Sequence, residues 1–458
     1  MGNINTALYN SASALSVLGQ AFNVVENNIT NANTPEYADQ TASFEAMPLD
    51  LSQQLPGGVE AGPLISSRNE YLEQAVRTQQ TSLSYSTQLA SDLGQVQSNF
   101  SLTSTSGIDS AMNTFFNSFS QLSVSPNDTT DRQAVLNAAS GVAQSFQSAA
   151  QSIQQVSTNV VSETTGVVSQ INSLASQIAN LNQSYGSDAG ANQDPGLDAQ
   201  MHSDLLQLAQ LTNFTVIQNS AGGYNVFLGG QSPLVMGSDA YAISAGNTSD
   251  QTGIQDSNGN DITGEITGGQ LGALIQEQNT TLPGYLSSLN TLAQNFADTV
   301  NGQLAQGVDE NGDTPTMPLF SYDQDDDAAS TISVNSLTPD QIAAASADAP
   351  GGGDNAVAMA QLATTPEING ATFTQYFGNF ESQMGNDVAN AQADQQQAQS
   401  QLTQAQSEVS NASGVNLNDE ATKLLQYQQS YDAVGKMVGV LDDLTQTLID
   451  MVDTSTSS

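Results

Sequence analysis

The sequence predicts a mainly α protein with a small β-rich module, on three observations. Both ends carry seven-residue apolar repeats, a long central stretch keeps an unbroken helical period, and one segment of about 50 residues switches to strand-and-turn patterning. Together they give terminal coiled-coil helices, a stalk of long bundled helices and a β tip domain. The expected division is residues 1–41 together with 414–458 as a terminal assembly domain, 42–211 together with 267–413 as the stalk with irregular loops, and 212–266 as the β-rich tip.

The N-terminal stripe is Ile4, Leu8, Leu15, Leu18, Phe22, Val25 and Ile29, spaced by sevens, threes and fours after Leu8. It runs into Asn27-Asn28-Ile29-Thr30-Asn31-Ala32-Asn33-Thr34-Pro35, where Asn tolerates a left-handed helix end and Pro35 drives Thr34 out of the α region. That is a helix followed by an elbow, with Asn27, Asn28, Asn31, Asn33, Thr34, Pro35 and Tyr37 as its motif residues. At the other end Leu417, Leu424, Tyr431, Val438 and Val452 share one register, with Thr445 its polar member. Tyr427, Val434, Leu441 and Leu448 form the companion register. The two stripes are expected to bury each other or copies in neighbouring chains, because a lone helix of this kind is marginal in water.

Between Val135 and Leu181 the positions Ala139, Phe146, Ile153, Val160, Val167 and Leu174 recur every seven residues, which implies a rod of roughly 70 Å at about 1.5 Å per residue. Tyr71 to Phe100 and the Gln-rich Val388 to Val409 read as further long helices, since Ala and Gln are good helix formers. Phe214–Ile217 and Tyr224–Leu228 flank a hairpin signal, and Gly229, Gly230 and Pro233 punctuate the next strand, Leu234–Met236. Helical pattern returns at Gly269–Gln306, followed by a Gly/Asp/Pro-rich loop region and Gly351-Gly352-Gly353.

Charge excludes whole classes of function. The chain carries 46 acidic residues against five basic ones, Arg68, Arg77, Arg132, Lys423 and Lys436, for a net of −41. Nucleic-acid binding needs Lys and Arg on phosphates, and anionic membranes need the same, so neither partner fits. Membrane insertion is not expected, because no apolar run reaches the length of a span. The N-terminal segment lacks the basic and apolar regions of a general secretory signal, so export would use another route.

No catalytic, cofactor or metal site is expected. There is no Cys, and His202, the single histidine, reads as a surface or partly buried structural residue. A Ser–His–Asp site would have to use it without a nucleophile elbow. The turns Asp256-Ser257-Asn258-Gly259-Asn260, Asp309-Glu310-Asn311-Gly312-Asp313 and Asp323-Gln324-Asp325-Asp326-Asp327 resemble the start of a calcium loop. None has the Gly and Glu that such a loop needs at its sixth and twelfth positions, so they read as solvated turns.

The stretch from Ala21 to Tyr37 resembles the N-terminal signature of the flagellar axial proteins. Ser413-Gly414-Val415-Asn416-Leu417-Asn418-Asp419-Glu420 and Leu424–Tyr431 are similar to the C-terminal signature of the hook-associated protein 1 family within them. Tyr224–Gly237, Gly268-Gly269-Gln270-Leu271-Gly272 and Asp309-Glu310-Asn311-Gly312 ahead of Leu319-Phe320 extend the likeness through the middle. The resemblance implies a non-enzymatic subunit of the bacterial flagellum that leaves the cell by the flagellum's own type III route. It implies a ring of copies between hook and filament, with the flagellar hook protein and hook-associated protein 3 as neighbours. An export chaperone would hold the C-terminal seam. A hook or rod subunit is the nearest alternative, and a secreted acidic adhesin or surface-layer protein a more distant one. Glu36 stands where the family usually has Gly and is expected to resist a positive-φ turn, and Asp39 replaces a usual basic residue.

Overall fold

In the computed structural model the described residues are 2–50, 55–101, 107–187, 194–219, 222–247, 251–324 and 327–456. The architecture is mainly α with small antiparallel sheets. Helix α1 (Gly2–Asn31) leads into a long hairpin of β1 (Gln40–Ala46) and β4 (Val59–Ser66), extended by the short pair β2 (Leu49–Asp50) and β3 (Leu55–Pro56). The shaft follows as α2 (Glu70–Ser101), α3 (Ile108–Val124), α4 (Thr129–Ser187) and α5 (Pro195–Leu211). After the β-rich segment come α6 (Gly269–Gln276), α7 (Leu282–Leu304), the short α8 (Ala328–Thr331) and α9 (Asp354–Gln361), then α10 (Phe373–Ser413) and α11 (Leu417–Thr456).

α4 is the spine of the shaft. Its 59 residues span about 90 Å, longer than the periodicity alone marks, because polar turns at both ends continue the helix. Ala139, Phe146, Ile153, Val160, Val167 and Leu174 are all buried, as are Val135, Val142, Val156, Ile171 and Ile178 from the companion row. α2 packs along it, and α10 runs antiparallel on α2, with Gln395 Nε2 donating to Thr87 Oγ1 at 3.1 Å. Val76, Leu402 and Ala405 make a small second cluster between them. The Gln-rich sequence is therefore helical, with a thin apolar stripe inward.

The end farthest from the termini is closed by aromatic packing. Phe296 touches Phe115, Phe116, Phe146, Phe320 and Phe373 with ring centroids 5.3–6.2 Å apart. Arg132, 1% exposed, serves as a strut there, donating to the carbonyls of Pro126 and Ile342 at 2.7 Å.

One expectation about the middle is corrected. The β-rich segment is not at the far tip. Its four-stranded sheet, order β5 (Phe214–Gln218), β6 (Tyr224–Leu228), β7 (Ser232–Met236), β8 (Asp239–Ala240), and the hairpin of β9 (Ser244–Asn247) with β10 (Thr252–Gln255) lie along the C-terminal half of α4. Buried Asn182 donates to the carbonyls of Tyr224 and Gly237 at 2.7 Å, and its Oδ1 accepts from Tyr224 N. Val226, Leu228, Leu234 and Val235 join the same core as the shaft. A single sheet with one apolar face needs a helical partner to bury it, and α4 supplies it.

The helical pattern expected at 269–306 is present, carried by two helices with a wider turn between them. A π-helical turn, Glu277–Thr281, joins α6 to α7. Pro283 has no N–H and clashes with the carbonyl four residues back, and the wider turn accommodates it. The π turn reaches three elements at once. Glu277 faces Asp92 of α2, Gln278 Oε1 accepts from Ser157 of α4 at 2.9 Å, and Asn279 exchanges hydrogen bonds with Thr252 of β10. Gly269 opens α6 at φ 69°, where a Cβ would stand 2.4 Å from the Thr212 amide nitrogen, so the motif glycine is sterically required.

Candidate assembly interface

α1 and α11 pair antiparallel: Phe22 meets Tyr427 and Tyr431 edge-on at 6.3 and 6.1 Å, while Asn28, later in α1, meets Glu420, earlier in α11. Edge-to-face rings of this kind add about 0.5–1.5 kcal/mol beyond their buried area. Of the N-terminal seam, Val25 is buried, Ile4, Leu8, Leu15, Leu18 and Phe22 are half-buried, and Ile29 is exposed. The deepest apolar side chains of α1 are instead Val17, Ala21, Val24 and Val25. The reason is a second covering element. The β1–β4 hairpin lies along α1, from Ser13, whose hydroxyl donates to the Val59 carbonyl, to Asn28, which donates to Gln40 O. A heptad read against one partner helix misses this flank.

The C-terminal seam divides in two. Tyr427, Val434, Val438 and Leu441 are half-buried against α1, whereas Leu417, Leu424, Tyr431 and Leu448 are exposed. The Val452 side chain lies outside the described residues. Leu425, Met437, Val440, Leu444, Ile449 and Met451 add to the open side, each about half exposed. α11 therefore presents one apolar row to α1 and a second to solvent.

The elbow holds the two chain ends together through one buried amide. Asn28, 0% exposed, donates from Nδ2 to Asp39 Oδ1 at 2.7 Å, Gln40 O at 2.8 Å and Glu420 Oε2 at 3.1 Å. Its Oδ1 accepts from Tyr37 OH at 3.0 Å and Gln40 N at 3.1 Å. Lys423 completes the group by ion pairs to Glu420 and Asp39. Burial pushes the Asp39 carboxyl above its ordinary value, with Lys423 pulling against it. The carboxylate that replaces a usual basic residue thus has its counter-ion on α11.

The other motif residues build the turn itself. Asn27 O accepts from Asn31 Nδ2, Asn31 Oδ1 accepts from Thr34 Oγ1, and Asn33, Thr34 and Pro35 lie exposed. Glu36 does adopt positive φ, at 58°, against the expectation from its Cβ. Its carbonyl accepts from Arg68 at 2.6 Å, and Arg68 is anchored by Glu73 and Asp198 at 2.7 and 2.8 Å. A fixed guanidinium thereby holds a backbone conformation that Gly adopts without help. Ser413, at the α10–α11 junction, exchanges hydrogen bonds with Ser67 at 2.9 and 3.1 Å, and its carbonyl accepts from Asp39 N. None of Arg68, Ser67, Ser413 and Glu420 has a periodicity that marks it; the motif around Ser413 is the one available signal.

Beyond the elbow, His202 is fully buried, not at the surface. Its Nε2 lies 3.4 Å from Glu70 Oε1 and 3.3 Å from the Tyr224 hydroxyl, which also donates to Glu70 at 2.8 Å. Burial pushes the Glu70 carboxyl up, but the bonds from His202 and Tyr224 and the Arg77 charge outweigh it and hold it at about 2. Asp256 and Asp309 each spend a carboxyl oxygen on amides of their own loop, and Asp325 and Asp326 fall outside the described residues. Among the described residues no group of three or more His, Cys, Asp or Glu is placed to hold a metal ion, and no helix is long and apolar enough to cross a membrane.

Known proteins share sequence and fold with this chain. The profile of the flagellar hook-associated protein FlgK helical domain matches residues 93–320, and that of the flagellar basal body rod FlgEFG protein C-terminal region matches 397–451. Flagellar hook-associated protein 1 of Bacillus subtilis strain 168 is 26% identical over 95% of this chain and 96% of its own length. The chain belongs to the flagellar hook-associated protein 1 family. The Escherichia coli K12 member is 24% identical over 68% of this chain and 59% of its own length. The flagellar hook junction protein FlgK from Burkholderia pseudomallei shares the fold, with TM-score 0.66 at 18% identity over 73% of this chain and 99% of that one. The family is one of structural flagellar proteins, so the chain is a part of the extracellular flagellum.

Proposed function

We propose that the chain forms the junction between hook and filament, assembling as a ring of copies through α1 and α11 after export by the flagellum's type III machinery. The assembly unit is residues 1–41 with 414–458, carried on the shaft of 42–413. The observation that supports this reading is the second apolar row of α11, which α1 leaves uncovered. In a polymer that row is buried by neighbouring chains, at about 25 cal/mol per Å² removed from water. Its exposure in the single chain also fits a need for an export chaperone, since an open apolar face invites premature association. In the flagellum its neighbours on this reading are the flagellar hook protein on one side and hook-associated protein 3 on the other.

The test uses the outward row, because Val440→Asp with Leu444→Asp leaves the α1 pair intact. Cells carrying the double variant are expected to make hooks without filaments and to shed flagellin, while the purified chain keeps its helical circular dichroism. Normal filaments on such cells would rule out this face as the assembly surface.

A further inference from the structure

A groove of ≈ 660 Å³ runs between α2 and the free edge of β5. Two of its features are unsatisfied. Among the described residues β5 pairs with β6 on one side only, which leaves its other edge unpaired, and Thr215, Ile217 and Gln218 are exposed. Open strand edges are ready templates for another strand.

The second feature is Arg77. Its side chain is 11% exposed, yet the nearest carboxylate oxygen, Glu70 Oε2, is 3.8 Å from Nη2, beyond hydrogen-bonding reach. That carboxylate balances the Arg77 charge as an ion pair without hydrogen-bonding it, and its Oε1 is taken by Tyr224 and His202. Arg68, Arg132 and Lys423 are each hydrogen-bonded to carboxylates or carbonyls inside the fold. Arg77 thus places a largely desolvated fork of donors on the groove with no acceptor within hydrogen-bonding distance among the described residues. A guanidinium in that condition favours a carboxylate, bound by two parallel hydrogen bonds.

We propose that this groove takes an extended, carboxylate-bearing segment of a second copy of the chain, added along β5 with its carboxylate on Arg77. The proposal rests on the self-assembly argued above. Charge complementarity selects the occupant: a copy with 46 acidic and five basic residues offers carboxylates along most of its length, and elsewhere its surface repels its neighbours. The contact would lie on the shaft beside the elbow, outside the α1–α11 pair.

The chain has no cysteine, so Ile217→Cys creates a single thiol for a photoreactive label. The purified full-length chain is labelled there, or at Leu444→Cys on α11 as a control, and irradiated under assembling conditions. The 217 label is expected to link two copies, mapping to a peptide that contains Asp or Glu. Arg77→Ala is expected to lower that yield about tenfold, with Arg77→Lys between, at unchanged circular dichroism. Links between copies from 444 but none from 217 would overturn the groove and leave the assembly reading standing. Links from neither position would remove both. A 217 product mapping to a segment without acidic residues would also overturn it.

Discussion

Glu277 carries the most telling buried charge question in the shaft. It is 0% exposed in the π turn, and neither carboxyl oxygen has a donor among the described protein groups. Burial, then the nearby Asp92 and the Glu163 charge, push its carboxyl from the ordinary 4.5 up to about 11. Tyr85 also faces it, its hydroxyl raised by burial and by Glu277, as does Tyr285. Glu277 is therefore protonated near neutrality, and its O–H supplies the donor that the pair with Asp92 requires. Between about 4.5 and about 11 the folded chain holds a proton that the unfolded chain has lost, so stability falls as pH rises through that window. Relative to pH 4.5, the loss from this one group at pH 7 is about 3 kcal/mol, at about 1.4 kcal/mol per unit. Glu277→Gln keeps the shape and a donor but removes the titration. In urea unfolding followed by circular dichroism at pH 5, 7 and 9, the variant is expected to gain on the parent at each step upward. The carbonyl stretch of a protonated carboxyl, seen by infrared at pH 8 in the parent, is expected to vanish in the variant. A constant stability gap across the three pH values would refute the reasoning.

Other perturbations test the elbow and the far end. Asn28→Leu leaves the Gln40 amide and the Tyr37 hydroxyl without their acceptor, at about 1–3 kcal/mol each, and hydrogen exchange over residues 37–40 is expected to quicken while α4 stays protected. Glu36→Gly relieves the positive φ, at a gain of at most about 1 kcal/mol, read as slower proteolysis at the elbow. Arg132→Met strips a 1% exposed side chain of its carbonyl partners and is expected to cost about 3 kcal/mol in thermal unfolding of the shaft.

Much of this was legible because the signals are periodic. The rows through Ala139, Phe146 and Ile153 and through Val135 and Val142 mark α4 plainly, since a helix with one apolar stripe repeats it every turn. The pairing of Phe22 with Tyr427 and Tyr431 joins two stripes that were each visible alone. What escaped was set by single residues with distant partners. Asn28 reads as one of several elbow asparagines until Glu420, nearly four hundred residues on, is brought beside it. The Cβ of Glu36 argues against positive φ, but Arg68, far along the chain, governs its conformation.

By composition and period alone, the sequence determined a long-helix, strongly anionic, cysteine-free protein with sticky helices at both ends, because local preference and amphipathicity are properties of a segment. Only the tertiary structure decided that the sheet lies on α4, that the hairpin covers one flank of α1, and that one row of α11 stays open. Which face an apolar row meets depends on where the other elements come to rest, and no segment carries that information by itself.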